Sequence, residues 1–114
     1  MKRLNVAEKI DSPSALTQEQ GDIVRAEIIN AFQNGEKIII DFLDVESIIS
    51  PFLNHAIGHL YEKYDSAFIR ENLQMEHFPP EKNSTLNVVI GNAKKYYANK
   101  EQFSKVVKEV IDNE

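Results

Sequence analysis

The sequence predicts a single α/β domain, residues 1–114, in which helices connect the strands of a small sheet. Three observations support this prediction: an amphipathic helix with clear signals at both ends, a short β-branched run after it, and a serine–proline pair that begins a second helix. Strands and helices in the order β-α-β-α-β-α-α imply helical crossovers between strands. A chain of 114 residues suits one such domain and is too short for two.

The first strand and the first helix lie in the N-terminal third. Residues 3–10 alternate loosely between apolar and polar side chains, as a half-exposed strand does, and the turn cluster 11–14 follows. Thr17 and Gln20 have the spacing of a capping box, which predicts a helix start. Apolar residues then recur every three or four positions until Gly35, which stands where a left-handed C-terminal cap belongs.

The middle of the chain predicts the central strand and a second helix. Residues 37–43 form a short apolar, β-branched run, typical of a strand covered on both faces. Residues 44–47 are predicted to form a loop. Ser50 is predicted as an N-cap with Pro51 at the first helical position, and an apolar stripe then continues to about Tyr64.

The C-terminal part predicts one more strand and further helices. Residues 65–72 suggest a short helical segment, and residues 73–78 alternate like a strand that a proline pair stops. Residues 86–97 have helical spacing, although 87–90 also fits a short strand; helix is favoured. Residues 103–110 predict a final amphipathic helix.

Composition limits the function classes. The chain is 42% apolar and 27% charged, and its 13 basic and 18 acidic residues give a net charge of −5. This charge argues against non-specific binding to nucleic acid or an anionic membrane. The absence of cysteine excludes disulfides, thiolate catalysis and thiolate metal sites. No apolar run approaches the roughly 20 residues of a membrane span, and no signal peptide is recognised, so a cytoplasmic protein is expected.

Asp41 interrupts the otherwise apolar run of the predicted central strand. A buried carboxylate is costly unless it accepts hydrogen bonds. One interpretation makes Asp41 a metal or phosphate ligand at the carboxyl end of a strand, where open α/β sheets bind ligands. The other has it accept amides of the following loop, and this structural role is favoured.

The remaining candidates for chemistry are weak. His55 and His59 are four residues apart on one predicted helix face, which Glu62 continues, so they could share a metal. A solvated helix face that holds no metal is favoured for His55 and His59. The side chain of His77 is predicted to be half-buried and to pack against its neighbours. Gly58 is predicted to allow another element to pack closely. No combination of nucleophile, base and orienting group and no phosphate-binding glycine loop is found, so neither a cofactor nor enzymatic activity is predicted.

Residues 41–60, from Asp41 to Leu60, resemble the STAS-like family of bacterial domains of unknown function. That family has an apolar strand ending in Asp-Phe, a short loop and a Ser-Phe-type helix start. Residues 15–21 look like the start of the family's first helix, and the resemblance spans roughly residues 15–93. It implies a small STAS-like sheet with helical crossovers.

The family is itself similar to anti-sigma factor antagonists, in which a partner kinase phosphorylates the second serine of Asp-Ser-Ser-Gly at a helix start. That tetrapeptide falls on residues 49–52, where only Ser50 matches, at the first serine, and Pro51 occupies the acceptor position. Asn54 and His55 replace the acidic pair usual in the STAS-like family. Although a helix N-terminus favours a phosphate, Ser50 is predicted to be a simple cap, without a phosphorylation switch.

The resemblance implies a non-catalytic regulatory module that binds a protein partner through the loop and helix start at 44–54. The expected partner is a GHKL-type ATPase or another regulatory protein, and a homodimer is also compatible. Neither nucleic acid nor membrane is an expected partner. The candidate partner-binding residues are Asp44, Glu46, Ser47, Ile49, Ser50, Phe52 and Asn54.

Two alternatives remain open. A small-ligand sensor or enzyme would use Asp41, Asp44 and the face of His55 and His59, and it predicts a concave pocket at the strand ends. The interaction module predicts a flat or convex exposed patch instead. A structural or assembly subunit would pair its helix 103–110 with another chain through an exposed apolar stripe.

Overall fold

The structure, a computed structural model, describes the backbone of residues 1–112 and the side chains of residues 1–98. It confirms a mixed α/β domain with small parallel sheets and five α-helices. Two 3₁₀ helices, Gly58–Glu62 and Pro80–Lys82, complete it. The strands and α-helices are β1 (Lys2–Asn5), α1 (Val6–Ile10), β2 (Ser14–Ala15), α2 (Gln18–Gln33), β3 (Ile38–Asp41), β4 (Ser47–Ile48), α3 (Ser50–Ala56), α4 (Ser66–Asn72), β5 (Leu73–Glu76) and α5 (Asn83–Asp112).

The main sheet has three parallel strands in the order β1-β3-β5, with β3 in the centre. Asn5, Asp41 and Glu76 are in register at its carboxyl end. A separate parallel pair joins β2 to β4. Parallel neighbours need crossover connections, and the helices between the strands supply them. The sheet therefore brings three polar side chains from distant parts of the sequence to one edge.

The two faces of the main sheet differ in burial. One face packs into the same core as Val24 and Ile28 of α2. On the other face Ile39 is only half-buried between the exposed Arg3 and Gln74. The prediction that β3 is covered on both faces was therefore wrong, because its neighbours on the second face are polar side chains that remain in water. The side chains of the buried face are Leu4, Ile38, Ile40 and Leu73.

The N-terminal segment is shorter as a strand than predicted. The side chain of Asn5 accepts a hydrogen bond from the Glu8 amide at 2.9 Å, so it caps α1 and ends β1. The two-residue strands β2 and β4 lie where a turn and a loop were predicted. Strands this short show no periodicity in the sequence, and only their pairing with each other defines them.

The predicted limits of α2 are confirmed. Thr17 Oγ1 accepts a hydrogen bond from the Gln20 amide, and Gln20 Oε1 accepts one from the Thr17 amide, both at 3.0 Å. This is the predicted capping box. Gly35 has a φ of +70°, the left-handed conformation that glycine adopts without steric cost.

Two glycines lie at close approaches between elements. A Cβ on Gly21 would lie 2.6 Å from the Phe52 carbonyl oxygen, so α2 and α3 can only pack this closely at a glycine. A Cβ on Gly58 would lie 2.5 Å from Asn54 Oδ1 and 3.5 Å from Val89. At Gly58 the element α5 thus packs at an ordinary van der Waals distance and the closer atom belongs to the side chain of Asn54, whereas at Gly21 the close atom belongs to the backbone of α3.

The start of α3 differs from the prediction. Its N-cap is Ile49, with extended backbone and no side-chain cap, whereas Ser50 is the first helical residue. The reason is tertiary: the Ile49 amide donates to the Ala15 carbonyl, which keeps Ile49 extended beside β2. The helix also ends at Ala56 and is followed by a 3₁₀ helix, so it does not reach Tyr64.

Replacing Ser50 with alanine is therefore expected to change the free energy of unfolding by no more than about 0.5 kcal/mol, as surface changes do. Thr17→Ala is the matched control, because loss of a true capping hydroxyl costs about 1 kcal/mol. Urea denaturation of both variants provides the measurement. If Ser50→Ala lost as much stability as Thr17→Ala, the observation that Ser50 is not the N-cap would be contradicted.

Most C-terminal predictions are confirmed. Residues 65–72 contain α4, and β5 follows and ends before His77, whose φ is +55°. Residues 86–97 are helical, which excludes a strand there. The same helix continues through 103–110, so the predicted separate final helix is part of α5. The side chains of 103–110 lie outside the described residues.

Within the described part, no helix has the length and apolar character needed to cross a membrane.

Candidate functional site

Asp41 is the centre of a polar cluster at the carboxyl end of the main sheet. Its Oδ1 accepts hydrogen bonds from the Leu43 amide at 3.0 Å and from His77 Nδ1 at 2.8 Å. Its Oδ2 accepts one from Arg3 Nη1 at 3.2 Å, and the same guanidinium donates to Glu76 at 2.7 Å. The Leu43 contact is the predicted bond to the following loop. Asp41 is thus a buried carboxylate with three donors.

The cluster has the donor set of a metal site, since donor atoms of Asp41, Glu76 and His77 all lie within 4.8 Å of one another. Carboxylates and imidazole bind several divalent metals. However, the guanidinium of Arg3 already bridges the two carboxylates and supplies the positive charge. The cluster is therefore an ion-pair network that fixes the strand ends.

The prediction for His77 was wrong. Its side chain is 55% exposed, because the left-handed backbone at this residue ends the strand and turns the ring towards solvent. The hydrogen bond from His77 is the largest influence that lowers the pKa of Asp41, and the Leu43 amide and the charge of Arg3 lower it further.

Replacing Asp41 with asparagine is expected to cost about 1–3 kcal/mol at pH 7, because an amide satisfies these three donors imperfectly. Since folding lowers the pKa of Asp41, its contribution is complete above the ordinary carboxyl pKa of about 4 and is lost as the pH falls through the folded value. Urea denaturation should therefore show a difference in the free energy of unfolding between the wild type and Asp41→Asn at pH 7, and a smaller difference in acid. Asp44→Asn is the control, because Asp44 is exposed; equal stability of both variants would refute the structural role.

His55 and His59 do not form a solvated face, contrary to the prediction. They are half-buried against α2, where His55 Nδ1 lies 2.8 Å from Asp22 and His59 Nδ1 lies 3.1 Å from Arg25. None of these contacts involves a hydrogen-bond partner of Asp41. The structure therefore does not bring Asp41 and the pair His55 and His59 into one hydrogen-bonded site.

The predicted partner-binding residues fall into three places. Phe52 is 0% exposed and belongs to the core, so its assignment was wrong. The reason is that Phe52 and Leu53 both face the core, whereas Ser50, Pro51 and Asn54 on the same helix are exposed. Asp44 lines a hollow of about 390 Å³ together with Glu8 and Asp11. The other predicted residues, all exposed, are Glu46, Ser47, Ile49, Ser50 and Asn54.

A larger groove of about 620 Å³ lies between the start of α3 and the first turns of α5. Ser50 and Asn54 are the two predicted partner-binding residues that line it. Among the residues with described side chains, no lysine, arginine, aspartate or glutamate lines it. The prediction of a flat or convex patch was thus wrong, since the helix start lies in a concave surface. The lining residues are Gln18, Ser50, Pro51, Asn54, His55, Ser84, Thr85, Val88, Val89 and Asn92.

The wall formed by α5 was missed by sequence reasoning. Val88 lies on this wall and is 60% exposed. A signal was present, because Val88 does not belong to the helical stripe that includes Val89 and Ala93. Sequence spacing alone did not show that α5 packs beside α3.

Comparison with known proteins identifies one family. The family described as a STAS-like domain of unknown function (DUF4325) matches residues 20–81, which is more than half of the chain. The matched segment contains most of α2, the central strand, α3 and β5. No curated protein and no solved structure gives a significant match. The chain therefore belongs to the STAS-like family of domains of unknown function.

Proposed function

We propose that this domain is a non-catalytic regulatory module that binds a protein partner through the groove between α3 and α5. The observation that carries the proposal is Val88, which is 60% exposed at a groove whose described lining residues include no lysine, arginine, aspartate or glutamate. Exposed apolar surface commonly marks interaction sites, and the centres of protein interfaces are depleted of charge.

Further apolar side chains extend this surface. Ile49 precedes the groove residue Ser50 and is 39% exposed, and Leu16 lies two residues before Gln18 and is 43% exposed. The Ile49 amide donates to the carbonyl of Ala15, which places the two segments side by side. A partner that inserts an uncharged apolar side chain would bury these groups, while hydroxyls and amides of the groove would provide polar contacts.

The family resemblance suggests the class of partner. Anti-sigma factor antagonists bind GHKL-type ATPases through this helix start, so such an ATPase or another regulatory protein is the proposed partner. Pro51 stands at the position where those antagonists are phosphorylated, and recognition without phosphorylation at that position is proposed. A homodimer formed through the same surface would be a variant of this interaction.

Site-specific photo-crosslinking in the native host tests the proposal. A photoreactive amino acid at Val88 or Asn54, on opposite walls of the groove, is expected to capture the same polypeptide. The same amino acid at the exposed Glu71 of α4 is the control, and Val88→Asp should abolish capture from position 54. Capture that is equally strong at Glu71, or that survives Val88→Asp, would contradict the proposed surface.

A small-ligand sensor is the second candidate, because the groove volume of about 620 Å³ lies in the range of small-molecule sites. Asp41 and Asp44 do not line this groove, so the enzyme version of the hypothesis loses two of its residues. Native mass spectrometry of protein purified gently from its host distinguishes the candidates. A stoichiometric small molecule that Asn54→Ala releases would favour the sensor.

A further inference from the structure

Arg25 connects α2 to the end of α3 and to the 3₁₀ helix that follows. Its Nη1 donates to the His55 carbonyl oxygen at 2.6 Å and lies 3.1 Å from His59 Nδ1. It also lies 3.1 Å from the Asp22 carboxylate. Because His55 is in the last turn of α3, the guanidinium satisfies one of the carbonyls that a helix end leaves without an intrahelical partner.

The contact between Arg25 and His59 depends on the protonation state of the imidazole. A guanidinium only donates hydrogen bonds, so His59 Nδ1 must be an acceptor, which places the single proton of the neutral ring on Nε2. A protonated His59 has no acceptor. It would instead place a second positive charge 3.1 Å from Arg25, on a ring that also lies 4.4 Å from the ring of His55.

The surroundings of His59 disfavour its charged form. Burial lowers the pKa of His59 most, and the charges of His55 and Arg25 lower it further, against opposing effects of Asp22 and Glu62. The titratable or charged groups around the ring are Asp22 and Arg25 from α2, His55 from α3, the adjacent Glu62, Lys63 and Tyr64, and Tyr96 and Tyr97 from α5.

We propose that the Arg25–His59 contact is a pH-sensitive device that holds the 3₁₀ helix Gly58–Glu62 and the end of α3 against α2. Neutral His59 accepts the hydrogen bond and keeps the three segments together. Protonated His59 loses that bond, repels Arg25, and so weakens the attachment of α3 that Arg25 provides through the His55 carbonyl. The proposal does not depend on which partner the groove binds.

Unfolding measured as a function of pH tests the device on the full chain. Because folding lowers the pKa of His59, the unfolded chain binds the extra proton and stability falls as the pH drops below the ordinary histidine pKa of about 6.5. The unfolding equilibrium constant should rise by at most about tenfold per pH unit for this one proton. His59→Gln should remove this component, because the glutamine carbonyl accepts from Arg25 without titrating, whereas His77→Gln should keep it.

NMR of the wild-type protein gives an independent readout if His59→Gln does not fold. Long-range ¹H–¹⁵N correlations should show the proton of His59 on Nε2 and a titration midpoint below about 6.5. A proton on Nδ1 in the neutral ring, or a midpoint at or above that value, would overturn the proposal. Unchanged pH dependence in a folded His59→Gln variant would overturn it as well.

Discussion

Replacing Phe52 with alanine is expected to lower the free energy of unfolding by about 3–5 kcal/mol, because the change leaves a large cavity in a packed core. The Phe52 side chain is 0% exposed and lies in the same cluster as Leu53, Ile57 and Val24. Domains of this size are stable by only about 5–15 kcal/mol, so the loss would remove between about a fifth and all of that stability. Loss of partner binding in this variant would therefore reflect unfolding.

Urea denaturation provides the measurement, and Ile49→Ala provides the control. Ile49 is three residues away and 39% exposed, so its truncation should change the free energy of unfolding by no more than about 0.5 kcal/mol. A Phe52→Ala protein as stable as Ile49→Ala would refute the burial of Phe52. It would restore Phe52 as a candidate for direct partner contact.

Alanine substitutions at two helical glycines are expected to have opposite signs. Alanine is favoured over glycine inside a helix by about 1 kcal/mol. Apart from its two neighbours and the backbone of α5 itself, no heavy atom of the described residues lies within 4 Å of a new Cβ on Gly91, so Gly91→Ala should stabilise the domain. At Gly21 the new Cβ would lie 2.6 Å from the backbone carbonyl of Phe52 and 3.1 Å from the amide of Ala56. The cost of overpacking, about 1–3 kcal/mol, should exceed the helical gain.

The two variants can be compared in one thermal or urea denaturation series. We expect Gly91→Ala to be more stable than the wild type and Gly21→Ala to be less stable. Both substitutions make the same chemical change inside a helix, so the difference between them measures the contact between α2 and α3. A stabilising Gly21→Ala would show that α3 is not packed on α2 as closely as the structure has it.

The candidate site was only partly accessible to sequence reasoning. The resemblance directed attention to the start of α3, where Ser50 and Asn54 line the groove. Val88 on the opposite wall was missed, because its proximity depends on how α5 packs beside α3. Phe52 was assigned to the surface because a helix start has exposed and buried positions, and the sequence of so short a helix does not distinguish them.

The sequence by itself determined those features that depend on neighbouring residues. The capping box of Thr17 and Gln20, the left-handed Gly35 and the bond from Asp41 to the Leu43 amide all form within a few positions of each other. Their hydrogen bonds are local, so local pattern is sufficient to predict them.

Only the tertiary structure decided the features that join distant segments. Ile49 became the N-cap of α3 because its amide donates to the carbonyl of Ala15. His59 turned towards α2 because Arg25, 34 positions away in the sequence, donates to it. Such contacts form when packing brings remote backbone and side-chain groups together, and the buried donors and acceptors then require partners wherever the packing places them. A pattern of residue spacings does not record where packing places these groups. For this reason the sequence pointed to the start of α3 but did not show which of its side chains face outward.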